Sequence, residues 1–521
     1  MQPPALGVAG RTLSVDTPRA SAPHDVGSVA AERHAVPPLA RGPVFALAGA
    51  VAMVLFAASF RYGYFGDELY FLAAGYHLSW GYADNPALVP LLARAMDMLF
   101  PGSVVGLRLP ATLFTALGVV LAALIAREMG GARRAQVIAA AAYAVAPNMV
   151  GTGHILATST VDPFCWTLVT WLVVRWVRLR QDRLLLWAGL ATAAGLQTKY
   201  LIFVFWVVLA GAALLVGPRE LLRRRMLWLG GALALLVTLP SVLWQATHGW
   251  PQLEVNHAVA VEQRYAGGRA WFVPLALALA GLPVGAVLVC YGLWRLLRSA
   301  ELRPYRFLGL TALGVTAVFV LAGGRMYYVA GMYAVLWAAA AVDMQRHRPA
   351  VWWRWLPTLP VFLLSATLTA YAELPVLPPS QVDSGDFISA GSIGWPELAD
   401  AVAASYRTLP ENTRRDTVIV TDTYWQAAAL DRYGPERGLP RAYGRNRGYW
   451  YFGRPPEQAR TALFVAASPD DMRAHFVDVR PLAAPDNPHG FPGLNRGLTV
   501  WLCTGQREPW SVLWPELRRI W

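Results

Sequence analysis

The chain has 521 residues, of which 56% are hydrophobic and only 15% are charged. Soluble proteins carry about a quarter charged residues, so this composition excludes a set of soluble domains and indicates a protein with several membrane spans. The net charge of +13 does not indicate nucleic-acid binding, because the basic residues lie between apolar runs and do not form one basic face. The three cysteines lie far apart in sequence and imply no disulfide framework.

Residues 1–42 are rich in Ala, Pro, Ser and Arg without periodicity, which predicts a disordered tail and not a signal peptide. About eleven apolar runs then predict a mainly α, polytopic bundle over residues 43–372, although several runs are shorter than the ~20 residues that a perpendicular helix needs. The runs are 43–60, 104–126, 135–150, 158–176, 184–197, 201–216, 226–245, 270–294, 307–322, 326–342 and 355–372.

Basic residues alternate between the predicted loops. The tail and every second loop hold 22 of the 45 basic residues, against seven in the intervening loops. The positive-inside rule therefore predicts a plasma-membrane protein with a cytoplasmic N-terminus. With an odd number of spans, everything from Glu373 onward is predicted to be extracytoplasmic.

Residues 373–521 have the composition of a soluble domain. Apolar segments such as TVIV (417–420), TALFVAAS (461–468) and LTVWLCTG (498–505) predict strands, hence a small α/β domain. The loop at 441–454, RAYGRNRGYWYFGR, fits either a surface that contacts a sugar or polyanion, or a solvated loop with packed aromatic residues.

Asp67 and Glu68 directly follow the first span, in a segment rich in aromatic residues that includes Tyr64. Ionisable side chains at a membrane boundary cost desolvation free energy, so they are candidates for functional residues. A carboxylate in a half-dry cavity has a raised proton affinity, which suits a general base. Adjacent residues point apart, so one is expected to face a cavity and the other to support the loop. The alternative is a helix N-terminus, where both charges favour the dipole.

Further polar residues occur at the same predicted face. Asp84 lies in an Asp-Asn-Pro turn, and either shapes that turn or faces Asp67 across a cavity, where the two could share a divalent cation. His154 is either a cavity hydrogen-bond donor or an interfacial residue. Asp162 precedes Pro163 at a span start, where a helix cap is the alternative to a cavity role. No His/Cys cluster has metal-ligand spacing, so no metal is expected to be required.

Lys199 is the single lysine in a chain that uses Arg everywhere else. It could bind a phosphate at headgroup level, or snorkel from the end of a span. Arg325, beside Tyr327 at another span start, is a second candidate phosphate ligand. His257 lies in the loop 246–269, which is a plausible cavity wall.

These features together resemble one family. The Asp67-Glu68 loop, the GY-x-D-x-P segment (81–86), GLQTKY (195–200), HGWP (248–251) and GRMYY (324–328) resemble bacterial GT-C membrane glycosyltransferases of the protein mannosyltransferase and aminoarabinose transferase type, which are glycosyltransferase family 39-like. The similarity covers about Pro43 to Asp343. One departure is Ala87, where these proteins often have a second proline, and it affects the loop shape.

The resemblance implies a sugar donor linked to a polyprenyl phosphate and attacked by an acceptor hydroxyl on the extracytoplasmic side, with inversion. It implies Asp67 as the base with Glu68 beside it. Phosphate departure builds negative charge at the interface, which Lys199 or Arg325 could stabilise without a metal. A divalent cation near Asp84 is possible, because some relatives bind one there. The acceptor class, whether protein, lipid or glycan, stays open.

The main rival to this reading is a transporter or lipid flippase that uses the same charges. Such proteins usually contain internal repeats, and none is visible in the sequence.

Overall fold

The computed structural model describes residues 1, 2, 7, 36–265, 267–347, 350–382, 385–483 and 497–520. The predicted disordered tail therefore lies mostly outside the described residues. Its last residues belong to the helical body, which begins at Pro37 and not at residue 43. The reason is that Arg127 Nε donates to the Pro37 carbonyl at 3.0 Å and Gln136 Nε2 donates to the Pro38 carbonyl at 3.1 Å.

Sixteen of the described helices form the apolar part of the chain. They are α1 (Arg41–Ala58), α2 (Gly66–Tyr76), α3 (Leu88–Leu99), α4 (Val104–Glu128), α5 (Arg133–Ala144), α6 (Pro147–Gly153), α7 (Thr158–Leu179), α8 (Arg183–Leu196), α9 (Leu201–Val216), α10 (Arg225–Thr247), α11 (Pro251–Tyr265), α12 (Gly268–Ala280), α13 (Val284–Arg298), α14 (Arg306–Ala322), α15 (Tyr333–Arg346) and α16 (Leu359–Glu373). A 3₁₀ turn, Met326–Met332, leads into α15. The predicted helical bundle is confirmed.

The predicted number of spans is too high by the criterion of helix length. Five described helical segments are long and apolar enough to cross a membrane, or six if the pair α12 and α13, bent by 111°, counts as one span. Several predicted runs form helices too short for a ~30 Å hydrocarbon core at 1.5 Å per residue. The run 135–150, for example, is divided between α5 and α6.

One end of the bundle gathers basic loops around a buried glutamate. Glu128 at the end of α4 accepts from Arg178 Nε at 2.6 Å, and its carbonyl accepts from the hydroxyl of Tyr305 at 3.2 Å. Arg346 donates to the carbonyl of Met129 at 3.0 Å. These contacts bring together the loops 127–134, 175–183, 295–306 and 343–354, which the sequence predicts to share one face.

The C-terminal segment contains a five-stranded mixed sheet with six helices around it. The strand order is β2-β1-β3-β5-β4, with β1 parallel to β2 and β3, and β5 antiparallel to β3 and β4. The elements are α17 (Phe387–Ala390), α18 (Trp395–Arg407), α19 (Glu411–Arg415), β1 (Thr417–Thr421), α20 (Tyr424–Tyr433), β2 (Ala442–Gly444), β3 (Thr461–Ala466), α21 (Asp470–Arg473), β4 (Phe476–Ala483), β5 (Thr499–Gln506) and α22 (Trp510–Glu516). The predicted α/β character of this segment is confirmed.

Two glycines allow the C-terminal segment to pack closely against α2. A Cβ on Gly66 would lie 2.2 Å from the Trp425 ring, and a Cβ on Gly448 would lie 1.9 Å from the Tyr70 hydroxyl. Any larger residue at either position would push the two parts of the chain apart. The close packing places α20 directly over the N-terminus of α2, where Asp67 lies.

Candidate active site

A cavity of about 860 Å³ lies where α2 meets the C-terminal segment. Its walls include residues from α2, the loop before α9, α11, the turn Met326–Met332, the end of α16 and the start of α20. Residues more than 350 positions apart in sequence therefore share one chamber. Charged side chains line it at several points.

Asp67 lines this cavity in the first turn of α2. Its Oδ1 accepts two hydrogen bonds, from Trp425 Nε1 at 2.7 Å and from the Tyr424 hydroxyl at 2.9 Å. Among the described residues, none donates to Oδ2. One oxygen is thus fixed by the C-terminal segment, which leaves the other to accept a proton from a bound molecule.

Glu68 is not a cavity residue, which corrects its prediction as a catalytic group. Its side chain is fully buried and forms an ion pair with Arg108 of α4, with Nη2 to Oε2 at 2.8 Å and Nε to Oε1 at 2.9 Å. It also accepts from the backbone N–H groups of Phe65 and Leu156, each at 2.9 Å. Both acids stand in the first turn of a helix, so the alternative predicted from the sequence, a helix N-terminus, is also observed.

Asp84 faces the same cavity as Asp67. Its Oδ1 accepts from the Tyr70 hydroxyl at 2.8 Å, and its Oδ2 lies 3.8 Å from Arg447 Nη1. Burial raises the pKa of Asp84, although Arg447 and Tyr70 oppose the shift. The side chain therefore joins α2, the turn at 81–86 and the C-terminal segment.

Arg447 is a cavity residue that the sequence did not single out. It lines the cavity beside Asp84, and its Nη1 donates to the Tyr424 hydroxyl at 2.9 Å. Its φ of 47° lies in the left-handed region, which an arginine rarely adopts. The only sequence signal was the Arg-, Gly- and aromatic-rich loop at 441–454, which the structure places partly inside the chamber.

Lys199 and Arg325, the two residues predicted to bind a phosphate, both line the cavity. Lys199 Nζ lies 5.1 Å from the ring centroid of Tyr327 and 5.3 Å from that of Tyr328. Arg325 pairs with Glu262 of α11 at 2.6 Å. Both positive groups therefore lie on one side of the chamber, with aromatic faces beside them.

Four predicted cavity residues lie outside the cavity lining. Tyr64 is buried under Arg432, whose guanidinium carbon lies 5.7 Å from the ring centroid. His154 is buried, its Nδ1 lies 3.3 Å from the Val150 carbonyl, and burial followed by the charge of Arg108 lowers the pKa of His154 to about 3.

Asp162 and His257 lie outside the cavity lining for two different reasons. Asp162 is buried in α7, where its Oδ1 accepts from Trp166 Nε1 at 3.1 Å. His257 is exposed, since α11 turns Val255 and Val259 toward the chamber and His257 away from it. A helical face cannot be assigned from a loop prediction, which is why His257 was misplaced.

A second group of cavity residues was also missed. Glu373 at the end of α16, Asn148 of α6 and Asp386 line the chamber. Burial, and then the charge of Asp386, raises the pKa of Glu373 to about 8. The sequence signal was weak, because Glu373 was the boundary between an apolar run and the soluble segment.

The candidate clusters of metal ligands among the described residues lie outside the cavity. Among the described residues, the groups of three His, Cys or carboxylate side chains close enough to share an ion are Glu301, Asp343 and His347, and His475, Glu508 and Glu516. None of these residues lines the cavity.

The fold is similar to that of a solved structure. The crystal structure of ArnT from Cupriavidus metallidurans in the apo state matches with a TM-score of 0.53 and 15% identity, over 88% of this chain and 97% of that one. The chain has an ArnT-like GT-C fold. Residues 84–244 also match the family described as dolichyl-phosphate-mannose-protein mannosyltransferase. The predicted resemblance to GT-C glycosyltransferases of the family 39-like type is confirmed.

Archaeal structures give weaker matches. The Archaeoglobus fulgidus oligosaccharyltransferase with a tethered acceptor peptide matches with a TM-score of 0.42 and 13% identity, over 75% of this chain and 64% of that one. AglB from the same organism, in complex with an inhibitory peptide and a dolichol-phosphate, matches with a TM-score of 0.42 and 14% identity, over 74% and 63%. No curated protein matches the chain.

The family match and the fold match cover different parts of the site. The matched segment 84–244 contains Asp84 and Lys199, whereas Asp67, Arg325 and the C-terminal segment lie outside it. The ArnT match covers most of the chain. The assignment of individual site residues therefore depends on the geometry of the cavity described above.

Proposed function

We propose that the protein is an integral-membrane glycosyltransferase that moves a sugar from a polyprenyl-phosphate donor to an acceptor hydroxyl on the extracytoplasmic face, with inversion at the anomeric carbon. The GT-C fold and the family match support the class. The observation that carries the proposal is the Asp67 carboxylate, whose Oδ2 has no donor among the described residues, in the same cavity as Lys199, Arg325 and Arg447.

Asp67 is the general base in this proposal. Oδ2 takes the proton of the acceptor hydroxyl as its oxygen attacks the anomeric carbon. The donors from Trp425 and Tyr424 hold the carboxylate in one orientation, which fixes the direction of attack. A single displacement with a base and no protein nucleophile inverts the anomeric configuration.

The cations stabilise the leaving group. When the bond between the anomeric carbon and the phosphate oxygen breaks, negative charge builds on the polyprenyl phosphate. Lys199 and Arg325 provide fixed positive charge for that phosphate in a chamber partly closed to water. Tyr327 flanks Lys199 and offers its ring to the donor. We propose that no metal ion is needed, because these side chains supply the charge.

The same proposal includes the orientation of the chain in the membrane. The Arg-rich end at Glu128 faces the cytoplasm under the positive-inside rule, so the cavity faces outward. The donor's lipid tail must lie in the bilayer, which brings its phosphate to the boundary where Lys199 is expected. An epitope tag at the C-terminus should accordingly be accessible to protease in intact spheroplasts.

The test uses the full chain purified into native lipid nanodiscs and radiolabelled polyprenyl-phosphate donors carrying mannose, glucose or a pentose. Wild type should bind and cleave one of them. Lys199→Met should weaken donor binding, and Asp67→Asn should abolish turnover while the donor still binds. Flipping of the labelled lipid across vesicles without cleavage would instead support the transporter, and no binding of any donor would contradict the proposal.

A further inference from the structure

Glu373 occupies a part of the cavity that the donor chemistry does not explain. Its Oε2 packs directly against Gly151, where an added Cβ would lie 2.2 Å from that oxygen. Among the described residues, none donates a hydrogen bond to this carboxyl. Lys199 and Arg325 act on each other electrostatically, as do Arg325 and Arg447, whereas the charge that acts on Glu373 is that of Asp386. The charged neighbour of Glu373 in the cavity is therefore an acid.

Asn148 adds a second polar group at the same place. It is only 4% exposed, it lines the cavity, and its Nδ2 has no hydrogen-bond partner among the described residues. Asn148 and Gly151 are three residues apart in α6, so they lie on one face of that helix. A buried amide without a partner costs free energy unless a ligand satisfies it.

An apolar groove begins on the other side of the Glu373–Gly151 contact. Val150 and Leu374, the neighbours of these two residues in sequence, line a groove of about 1090 Å³ formed by α1, α5 and α16. Apart from Arg133, Arg134 and Thr369, its lining is apolar, as a lipid chain requires. The polar end of a lipid lying in the groove would reach the cavity beside Glu373.

From these observations we propose that Glu373 and Asn148 form the acceptor subsite, and that the acceptor is a membrane lipid with an uncharged, hydroxyl-bearing headgroup. This rests on the proposed function, which leaves the acceptor class open. Asn148 Nδ2 donates to one headgroup oxygen and the Glu373 carboxyl engages a second hydroxyl, while the lipid chains lie in the groove.

The charges at the subsite select against an anionic headgroup. A phosphate monoester would lie beside the Asp386 carboxylate, and the like charges would repel each other. A neutral polyol meets a carboxyl that is largely protonated at pH 7 and able to donate as well as accept. The donor phosphate then binds on the cationic side.

The transfer step is balanced by groups already in the cavity. The acceptor oxygen forms a bond to the anomeric carbon and its proton goes to Asp67 Oδ2. The bond from the anomeric carbon to the phosphate oxygen breaks, and its electron pair leaves with the polyprenyl phosphate. No oxidant, reductant or further reactant is needed.

The experiment compares acceptors in nanodiscs loaded with the donor that wild type cleaves. The acceptors are a monoglycosyl diacylglycerol, phosphatidic acid with the same acyl chains, and a peptide rich in Ser and Thr. Sugar should pass to the glycosyl diacylglycerol alone. Glu373→Ala and Gly151→Ala should each raise the acceptor KM about three- to tenfold, the loss expected for one hydrogen bond. Glu373→Gln should stay within about twofold, because its amide keeps the same reach and hydrogen-bonding capacity.

Two controls separate this inference from the proposed function. Gly49→Ala adds a methyl group where nothing lies within 4 Å and should change nothing. Sugar release to water without acceptor should be equal in all variants, which shows that the donor site is intact. Transfer to phosphatidic acid or the peptide in place of the glycolipid, or a Glu373→Ala variant with the wild-type acceptor KM, would overturn the acceptor subsite. Absence of donor cleavage in wild type would instead contradict the proposed function.

Discussion

Glu68 anchors the turn that presents Asp67, and its removal is expected to destabilise the protein more than it alters the chemistry. Replacing Glu68 by Ala leaves the Arg108 guanidinium buried without its counter-ion, since the two side chains are 0% and 2% exposed. Breaking a buried ion pair from one side costs about 3–5 kcal/mol. Losing the acceptor for the Phe65 and Leu156 N–H groups adds about 1–3 kcal/mol for each.

These contributions share one carboxylate and are not additive, so we expect a loss of at least about 4 kcal/mol for Glu68→Ala. Arg108 also donates to the Gly63 carbonyl at 2.8 Å, so Arg108→Met is costly as well. The double variant Glu68→Ala/Arg108→Met should nevertheless lose about 2 kcal/mol less unfolding free energy than the sum of the two single losses, because neither charge is then buried without its partner.

The assay is equilibrium unfolding in mixed micelles, followed by the fluorescence of the 22 tryptophans. Asp67→Asn is the matched control, because it changes the neighbouring acid and should leave the unfolding free energy within about 1 kcal/mol of wild type. A Glu68→Gln variant that unfolds like wild type but no longer turns over would refute the reasoning and restore Glu68 as a chemical group.

Four other outcomes follow from the cavity. Trp425→Phe removes the shorter hydrogen bond that holds the Asp67 carboxylate in one orientation, so turnover should fall; an unchanged rate would contradict the role of the indole. Lys199→Met should raise the donor KM about 10- to 100-fold, with Lys199→Arg milder, and equal KM values would exclude a phosphate contact. Burial, and then the charge of Asp386, raises the pKa of Glu373 to about 8. The protonated form of Glu373, which binds the acceptor, is therefore lost as the pH rises through 8. The acceptor KM should rise over this pH range in wild type and stay constant in Glu373→Gln. Dialysis against EDTA should leave the rate unchanged, and a loss restored by Mg²⁺ or Mn²⁺ would show that a metal is required.

The features that the sequence predicted correctly depend on local patterns. The helical bundle follows from apolar runs, and the α/β character of the C-terminal segment follows from short apolar strands such as TALFVA in β3. The number of spans did not follow, because a run such as 135–150 is divided between α5 and α6, and hydropathy alone does not mark the break. The bend of 111° between α12 and α13 is equally invisible in composition.

The site was only partly predictable for a similar reason. Asp67, Lys199 and Arg325 stand out locally as charges beside apolar runs, and they line one cavity. Which of two adjacent acids faces that cavity depends on Arg108, 40 residues further on, so Glu68 could not be separated from Asp67.

The contribution of the C-terminal segment lies further still from any local pattern. Trp425 and Tyr424 are 358 and 357 residues from Asp67, and their bonds to it exist only in the folded chain. Arg447 reaches the chamber through a left-handed backbone conformation that the sequence does not predict. The only sequence feature that indicated a role for this region was the aromatic and Arg-rich loop at 441–454.

The most direct test of the account is a single-turnover measurement with the donor already bound. Wild type and Asp67→Asn are loaded to the same donor occupancy, acceptor is added, and the anomeric configuration of the product is determined by NMR. If Asp67 is the base, wild type gives inverted product, and Asp67→Asn reacts at least about 100-fold more slowly at equal donor occupancy. Retained configuration, or an Asp67→Asn rate equal to that of wild type, would contradict the assignment of Asp67 as the base.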